Sequence, residues 1–334
     1  MTVKKVYKSK DYNYLFDGHT GFFARWGKTL QDDPEWSPVG PEIADIEIST
    51  ICHGVGAPCA FCYKANNPNG KNMTLETFKR LFAKLPKNLT QIAFGIGDID
   101  SNPDMLAIFE YSRENNVIPN VTMNGARMTK HWAKRFAEVC GAVSVSRYHK
   151  DMTYDTVKLL TDAGLEQVNI HQLVADHTYE TCLQLLKEVE TDPRLEKLHA
   201  TVFLAAKAKG RGTWLKPLEL AKFKNLVAYS LEHGIKIGFD SCSAPKFLAA
   251  IKGHPQEKIL SMSCEPCESG LFSAYINVDG EYYPCSFTEG EKEIRPINVL
   301  ECDDFIDDVW NHPDTKMWRK RLLKGCRACP MFRV

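Results

Sequence analysis

The sequence predicts an α/β protein, a parallel sheet with helices packed outside it, followed by a smaller C-terminal domain. Three observations carry that reading. Seven strand-then-helix units follow one another between residues 42 and 245, the pattern of a parallel sheet, closed as a full or partial barrel or left open and doubly wound. Several helical segments close on glycine and pass directly into the next strand, as αβ loops do. Beyond residue 245 the rhythm stops, and a cysteine-bearing hairpin replaces it.

The bulk numbers set limits. A chain of 334 residues suits one large α/β domain with an appendage, or two ordinary domains. Its 42 basic residues balance 42 acidic ones, so no sequence-wide charge draws it to nucleic acid or to an anionic membrane. The opening "MTVKKVYKSKDYNYLF" has lysines without an apolar run behind them, and no stretch reaches membrane-spanning length. The expectation is a cytoplasmic protein. Twelve cysteines in a reducing compartment then favour metal or cluster ligation over disulfides.

The elements follow in order. In "EIADIEIST", Ile46 and Ile48 alternate with Asp45, Glu47 and Ser49, a strand with two unlike faces. It leads into a loop carrying Cys52, Cys59 and Cys62. Leu75, Phe78, Leu81, Phe82 and Leu85 then recur at helical spacing behind Thr74, a suitable N-cap. "TQIAFGIGD" is the second strand, 104–115 a helix, "IPNVTMNG" a strand, 130–140 a helix, and "AVSVS" a strand. A helix from Thr153 ends at Gly164, "EQVNIHQL" follows, then a helix over 178–190 and the strand "LHATVFLA". Pro217 opens a helix that Gly234 closes, and "IKIGFD" is the last strand of the series. "SAYINVDGEYYPCSF" is a hairpin turning at Asp279-Gly280. The expected division is 1–41 as an N-terminal extension covering the barrel, 42–250 as the core, and 255–334 as the C-terminal domain.

Active sites of parallel α/β folds gather at the C-terminal ends of the strands, where the first cysteine loop falls. Three thiolates on one short loop can hold three irons of a cubane and leave the fourth open to a non-protein ligand. "CHGVGAPCAFC" resembles the cluster loop of the radical S-adenosylmethionine (radical SAM) enzymes: two residues separate the last two cysteines, and an aromatic, Phe61, precedes the third. The six residues between Cys52 and Cys59 exceed the commonest spacing of three, and the glycines and proline of "HGVGAP" suit a looped-out excursion. The resemblance extends over roughly residues 42–245 and implies a partial (β/α)6 TIM-like barrel. It also implies that Phe61, Gly95, Gly97, Asp98, Asn124, Ser144, Ser146 and His171 bind S-adenosylmethionine (SAM), with Asp98 meeting its amino group. Asp240 and His171, at strand ends, are candidate acid or base groups.

The C-terminal cysteines resemble the auxiliary-cluster domains of that family, SPASM and its shorter form, twitch. Cys267, Gly270, Gly280 and Cys285 match the recurring pattern, and "CRACP" adds Cys326 and Cys329. Four ligands, Cys267, Cys285, Cys326 and Cys329, imply one auxiliary [4Fe-4S] cluster and favour the twitch form, with Cys264 a possible substitute. Cys140, Cys182 and Cys302 read as small apolar residues. Cys242 either faces the active site or is a buried structural thiol. The implied cofactors are a SAM-binding [4Fe-4S] cluster, SAM and a second cluster. The implied partners are a flavodoxin- or ferredoxin-type electron donor and a peptide or small-molecule substrate. Two readings compete: a zinc- or cluster-containing binding protein without catalysis, and an unrelated α/β enzyme with structural zinc, held by Cys52, Cys59, Cys62 and His53 or by the pairs Cys264/Cys267 and Cys326/Cys329.

Overall fold

A computed structural model describes residues 4–332. Three short strands come first, β1 (Lys4–Tyr7), β2 (Asn13–Asp17) and β3 (Phe23–Trp26), joined as an antiparallel sheet. The alternating series follows: β4 (Ile43–Glu47), α1 (Leu75–Lys84), β5 (Gln91–Gly95), α2 (Met105–Glu114), β6 (Ile118–Met123), α3 (Lys130–Val139), β7 (Ala142–Ser146) and α4 (Lys150–Asp162). It continues with β8 (Gln167–Val174), α5 (Tyr179–Thr191), β9 (Ala200–Ala205), α6 (Leu220–Glu232), β10 (Ile237–Phe239), α7 (Ala244–Ile251) and α8 (Glu257–Met262). The C-terminal segment adds β11 (Ser273–Ile276), β12 (Glu281–Tyr283), β13 (Ile297–Asn298) and α9 (Pro313–Lys324).

The large sheet runs β10-β9-β8-β7-β6-β5-β4-β11-β12-β13. From β10 to β4 each strand pairs in parallel with its neighbour in sequence. A doubly wound sheet would reverse its strand order at a switch point. This one does not, so the series curls in one direction as a barrel. The barrel stays open, because β4 gives its other edge to β11, in parallel, rather than to β10.

Alternation along each strand separates two faces. Ile46, Phe94, Val121, Val143, Val145, Val168 and Ile170 are buried in one cluster with Phe78, Leu81, Phe109, Phe136 and Leu160 of the covering helices. The opposite face is polar and lines the barrel interior.

Local signals explain most element ends. Thr74 caps α1 by accepting the Thr77 N–H at 3.2 Å. Two boundaries differ from the sequence reading. The helix expected from Thr153 begins at Lys150, one turn earlier. Pro217 does not open α6; it bridges Ala175, and the helix begins at Leu220.

The N-terminal sheet packs Tyr12, Tyr14 and Phe16 against Ile118 at the start of β6 and against Leu271, Phe272 and Leu322. Tyr14 Oη donates to the Asn88 carbonyl at 2.8 Å, just before β5. This sheet therefore covers the N-terminal ends of the barrel strands, opposite the cysteine loop. Among the described residues, no helix is long and apolar enough to cross a membrane.

Candidate active site at the barrel mouth

The β4–α1 loop carries Cys52, Cys59 and Cys62, all free and none fully buried. Each thiol lies close enough to the others for its charge to be felt: Cys52 senses Cys59 and Cys62, and Cys59 senses Cys62. Burial, with Asp98 beside it, pushes the Cys52 thiol up to about 11. Ligation must therefore displace protons to solvent.

The loop is held from three sides. Its base is bridged at Ile51 and Asn67, with the Cys52 N–H donating to the Asn67 carbonyl at 3.0 Å. On the β5 side, a Cβ on Gly97 would stand 1.7 Å from the Ile51 carbonyl oxygen, so only glycine allows that approach. On the β9 side, Arg211 binds three loop carbonyls: its N–H reaches Cys62 at 3.0 Å, Nε reaches Cys59 at 2.8 Å and Nη2 reaches Asn66 at 3.0 Å. Gly210 precedes it with φ +58°, and a Cβ there would stand 2.3 Å from the Tyr63 carbonyl.

Asp98 is buried, 1 % exposed. It accepts the His53 N–H at 2.7 Å, His53 Nδ1 at 2.9 Å and Asn124 Nδ2 at 3.0 Å, and pairs with Arg127 Nη2 at 3.2 Å. Burial by itself would raise its carboxyl; these donors and the Arg127 charge outweigh it and hold the carboxyl below the ordinary range. Asp98 thus spends its oxygens on "HGVGAP" and on the end of β6, and braces the excursion against the barrel.

The inner wall presents, in register, Glu47, Gly95, Thr122, Ser144 and Asn169, with Ser146 and His171 in the next row up. Ser144 and Ser146 both face inward, since Val143 and Val145 fill the core. Asn169 Oδ1 is buried without a hydrogen-bond partner. A barrel packed for its own sake would carry branched apolar side chains inside. This polar wall with an orphaned acceptor, below three thiols, fits a polar cofactor such as SAM. Burial lowers His171 to about 4 against the pull of Asp240, so its imidazole is neutral at pH 7. Asp240 accepts Lys207 Nζ at 2.5 Å and Ser243 Oγ at 2.6 Å. Phe61 packs on Tyr148 with ring centroids 5.6 Å apart.

The C-terminal cysteines divide. Cys285 Sγ accepts the Phe287 N–H at 3.3 Å and Cys329 Sγ the Phe332 N–H at 3.4 Å, and the Phe287 and Phe332 ring centroids lie 5.8 Å apart, so these two stand in one region. Cys326 is exposed, and Cys264 lies against the α5–α7 apolar cluster, its thiol on the Ala244 carbonyl at 3.8 Å. Among the described residues, no three His, Cys, Asp or Glu side chains converge as a single metal ion requires. The His53 ring faces Asp98 rather than the loop thiols, which leaves the zinc arrangement of Cys52, Cys59 and Cys62 without its fourth ligand. A cubane sets its ligand sulfurs at separate corners and needs no such convergence.

Sequence reading missed Arg127, Tyr148, Lys207 and Arg211. Each lies far along the chain from its partner, and the only local hint was the glycine beside Arg211.

Barrel, cysteine loop and C-terminal cysteines together define the class of fold, an open parallel α/β barrel with a cysteine-bearing C-terminal segment. Residues 267–330 match the SPASM family, described as an iron-sulfur cluster-binding domain, and no curated protein matches the chain. Among solved structures, Streptococcus suis SuiB bound to its precursor peptide SuiA is similar at TM-score 0.67 and 16% identity, over 84% of this chain and 67% of that one. SuiB bound to S-adenosylmethionine gives TM-score 0.64 at 16% identity, over 85% and 68%. Native anSMEcpe with bound AdoMet and the Cp18Cys peptide gives TM-score 0.60 at 16% identity, over 87% of each chain. At such identity the likeness establishes the fold.

Proposed function

We propose that the chain is a radical SAM enzyme, an oxidoreductase or maturase that holds a [4Fe-4S] cluster on Cys52, Cys59 and Cys62 and modifies a peptide. A second cluster in the C-terminal segment, taken as an auxiliary domain over 255–334, assists oxidation or bond formation. The observation that carries the reading is three mutually close free thiols on one strand-to-helix loop above a polar barrel wall. When bound, the cluster and SAM supply one-electron cleavage to methionine and a 5'-deoxyadenosyl radical that takes a hydrogen atom from the substrate.

The chain's own residues position and enclose. Asn169, Ser144 and Ser146 offer hydrogen bonds to a ribose or carboxylate on the inner wall. Gly95 and Gly97 keep that wall low beneath the loop, and Phe61 with Tyr148 closes its side. Asp98 and Asn124 hold the loop excursion in place. His171, neutral, can accept or donate a proton toward the substrate side, and Asp240, anchored by Lys207 and Ser243, borders the same space. Peptide as the substrate class draws support from the SuiA and Cp18Cys peptides in the similar structures. A flavodoxin- or ferredoxin-type donor would deliver the electron, in a reducing compartment.

The test is anaerobic reconstitution followed by reduction with SAM, with 5'-deoxyadenosine read by mass spectrometry. About eight irons per chain are expected from two cubanes. The Cys59→Ala protein should form no 5'-deoxyadenosine. Zinc without acid-labile sulfide, or undiminished cleavage by the Cys59→Ala protein, would overturn the proposal.

A further inference from the structure

Three connecting segments meet at the barrel mouth: the cysteine loop after β4, residues 207–211 after β9, and residues 285–291 after β12. Each touches the other two. Arg211 holds the loop by the carbonyls of Cys59, Cys62 and Asn66. Lys209 Nζ donates to the Glu289 carbonyl at 2.8 Å and pairs with Glu291 at 2.6 Å, and the Lys207 ammonium lies 4.7 Å from the centre of the Phe287 ring. The third side of this triangle is made by the two residues that follow Cys62.

Tyr63 stacks on Phe287, with ring centroids 4.3 Å and planes 23° apart, and its hydroxyl donates to Ser286 Oγ at 3.3 Å. Ser286 and Phe287 directly follow Cys285. Stacked rings at this distance attract beyond the area they bury. Lys64 donates to Tyr275 Oη at 2.6 Å and pairs with Glu47 at 3.2 Å and with Glu289. An ammonium has three donors, and these acceptors use all of them. Tyr275 Oη in turn donates toward Glu289 at 3.1 Å and Glu47 at 3.2 Å, and Asn277 Nδ2 donates to Glu289 at 3.1 Å. Such charge-assisted bonds are short and directional, so they fix where the Glu289 end of the turn lies relative to the loop. The chain just after Cys62 is thus fastened to the chain just after Cys285, by a ring stack and by a largely buried ion pair.

We propose that Tyr63 and Lys64 are positioning residues that couple the two cysteine-bearing segments: ordering the loop of Cys52, Cys59 and Cys62 orders the turn at Cys285, and ordering that turn orders the loop. The bearing of this coupling on catalysis rests on the reading that both segments hold clusters. Coupling between two sites is reciprocal, so whatever holds one segment in place strengthens the hold on the other. A stack that merely filled space would cost stability when removed and carry nothing across.

The deciding measurement is amide hydrogen exchange in the metal-free full chain. Tyr63→Leu should raise exchange several-fold over 285–291 as well as over 59–66, and Phe287→Leu should do the same in reverse, with α3 unchanged in both. Tyr63→Phe keeps the stack and should restore protection in both segments. The double variant Tyr63→Leu/Phe287→Leu should resemble the single variants rather than their sum, because both remove one contact. After anaerobic reconstitution and reduction, Phe287→Leu, with every cysteine intact, should also weaken the change that added SAM makes in the electron paramagnetic resonance spectrum. Exchange that rises only in the substituted segment of each single variant, or effects that add in the double, would overturn the coupling. A parent chain that takes up neither iron nor sulfide would sink the cluster reading instead, and the exchange of the metal-free chain would still decide the coupling.

Discussion

A carboxylate stays charged out of water only where donors replace the water it has lost, and Asp98 has the His53 backbone and ring, Asn124 and Arg127. Asp98→Asn keeps the shape and removes the charge. Hydrogen bonds to a charged group contribute roughly 1.5–3 kcal/mol each, so urea unfolding should show a loss of that order, along with weaker retention of iron at the loop. A loss below about 0.5 kcal/mol, ordinary for a surface site, would refute the bracing role. His171 works in the opposite sense. Its pKa is lowered to about 4 by burial, against roughly 6.5 in an unfolded chain. Between those values the unfolded state binds a proton that the folded state refuses, so stability falls as pH drops from 6.5 toward 4, by at most about 3 kcal/mol. His171→Gln should flatten that limb of the stability profile. An imidazole titrating near 6.5 by NMR would contradict the enclosure.

At the scale of elements, the loop is only as rigid as the two connections that grip it. Arg211 reaches over from beyond β9 to the carbonyls of Cys59, Cys62 and Asn66. Arg211→Ala should leave the barrel folded but raise hydrogen exchange across 59–66 and lower iron retained on the loop; unchanged exchange would mean that the base bridge alone suffices. Gly97→Ala is harsher, because its Cβ would enter the Ile51 carbonyl. That contact cannot be relieved by a rotamer change. The strands, their order and the three-cysteine loop were legible from period-2 alternation and glycine stops, which are local signals. The grip on the loop was not, since Arg211 stands about 150 residues from its partners, and nothing in "AKAKGRG" says which carbonyls it will meet. Cys326 lies exposed on a turn with left-handed backbone at Cys326 and Arg327, a conformation that the CxxC spacing does not announce.

Across the whole molecule, the N-terminal sheet and the C-terminal segment meet at Arg25. Its guanidinium pairs with Glu265 at 2.6 Å, Glu42 at 3.1 Å and Glu268 at 3.3 Å, and lies 3.6 Å over the Phe272 ring. Arg25→Met leaves carboxylates gathered without their cation, a change worth about 3–5 kcal/mol when the pair is buried. Thermal unfolding should shift down by several degrees. Because this sheet covers the end of the barrel opposite the cysteine loop, 5'-deoxyadenosine formed per folded molecule should hold; a matching fall in both would place the sheet in the catalytic machinery.

Composition and period alone specified an alternating α/β order with a parallel sheet, the loop of Cys52, Cys59 and Cys62 at a strand's C-terminal end, and a second cysteine group near the end of the chain. Those follow from spacing within a few turns of chain, where side-chain direction is set by backbone geometry. Tertiary structure decided that the barrel stays open with β11 on its edge, that Asp98 braces the loop, and that Cys326 is exposed on the turn after α9. Each of these depends on which distant segments the packed core brings together, and a thiol's neighbours in space leave no mark on its neighbours in sequence.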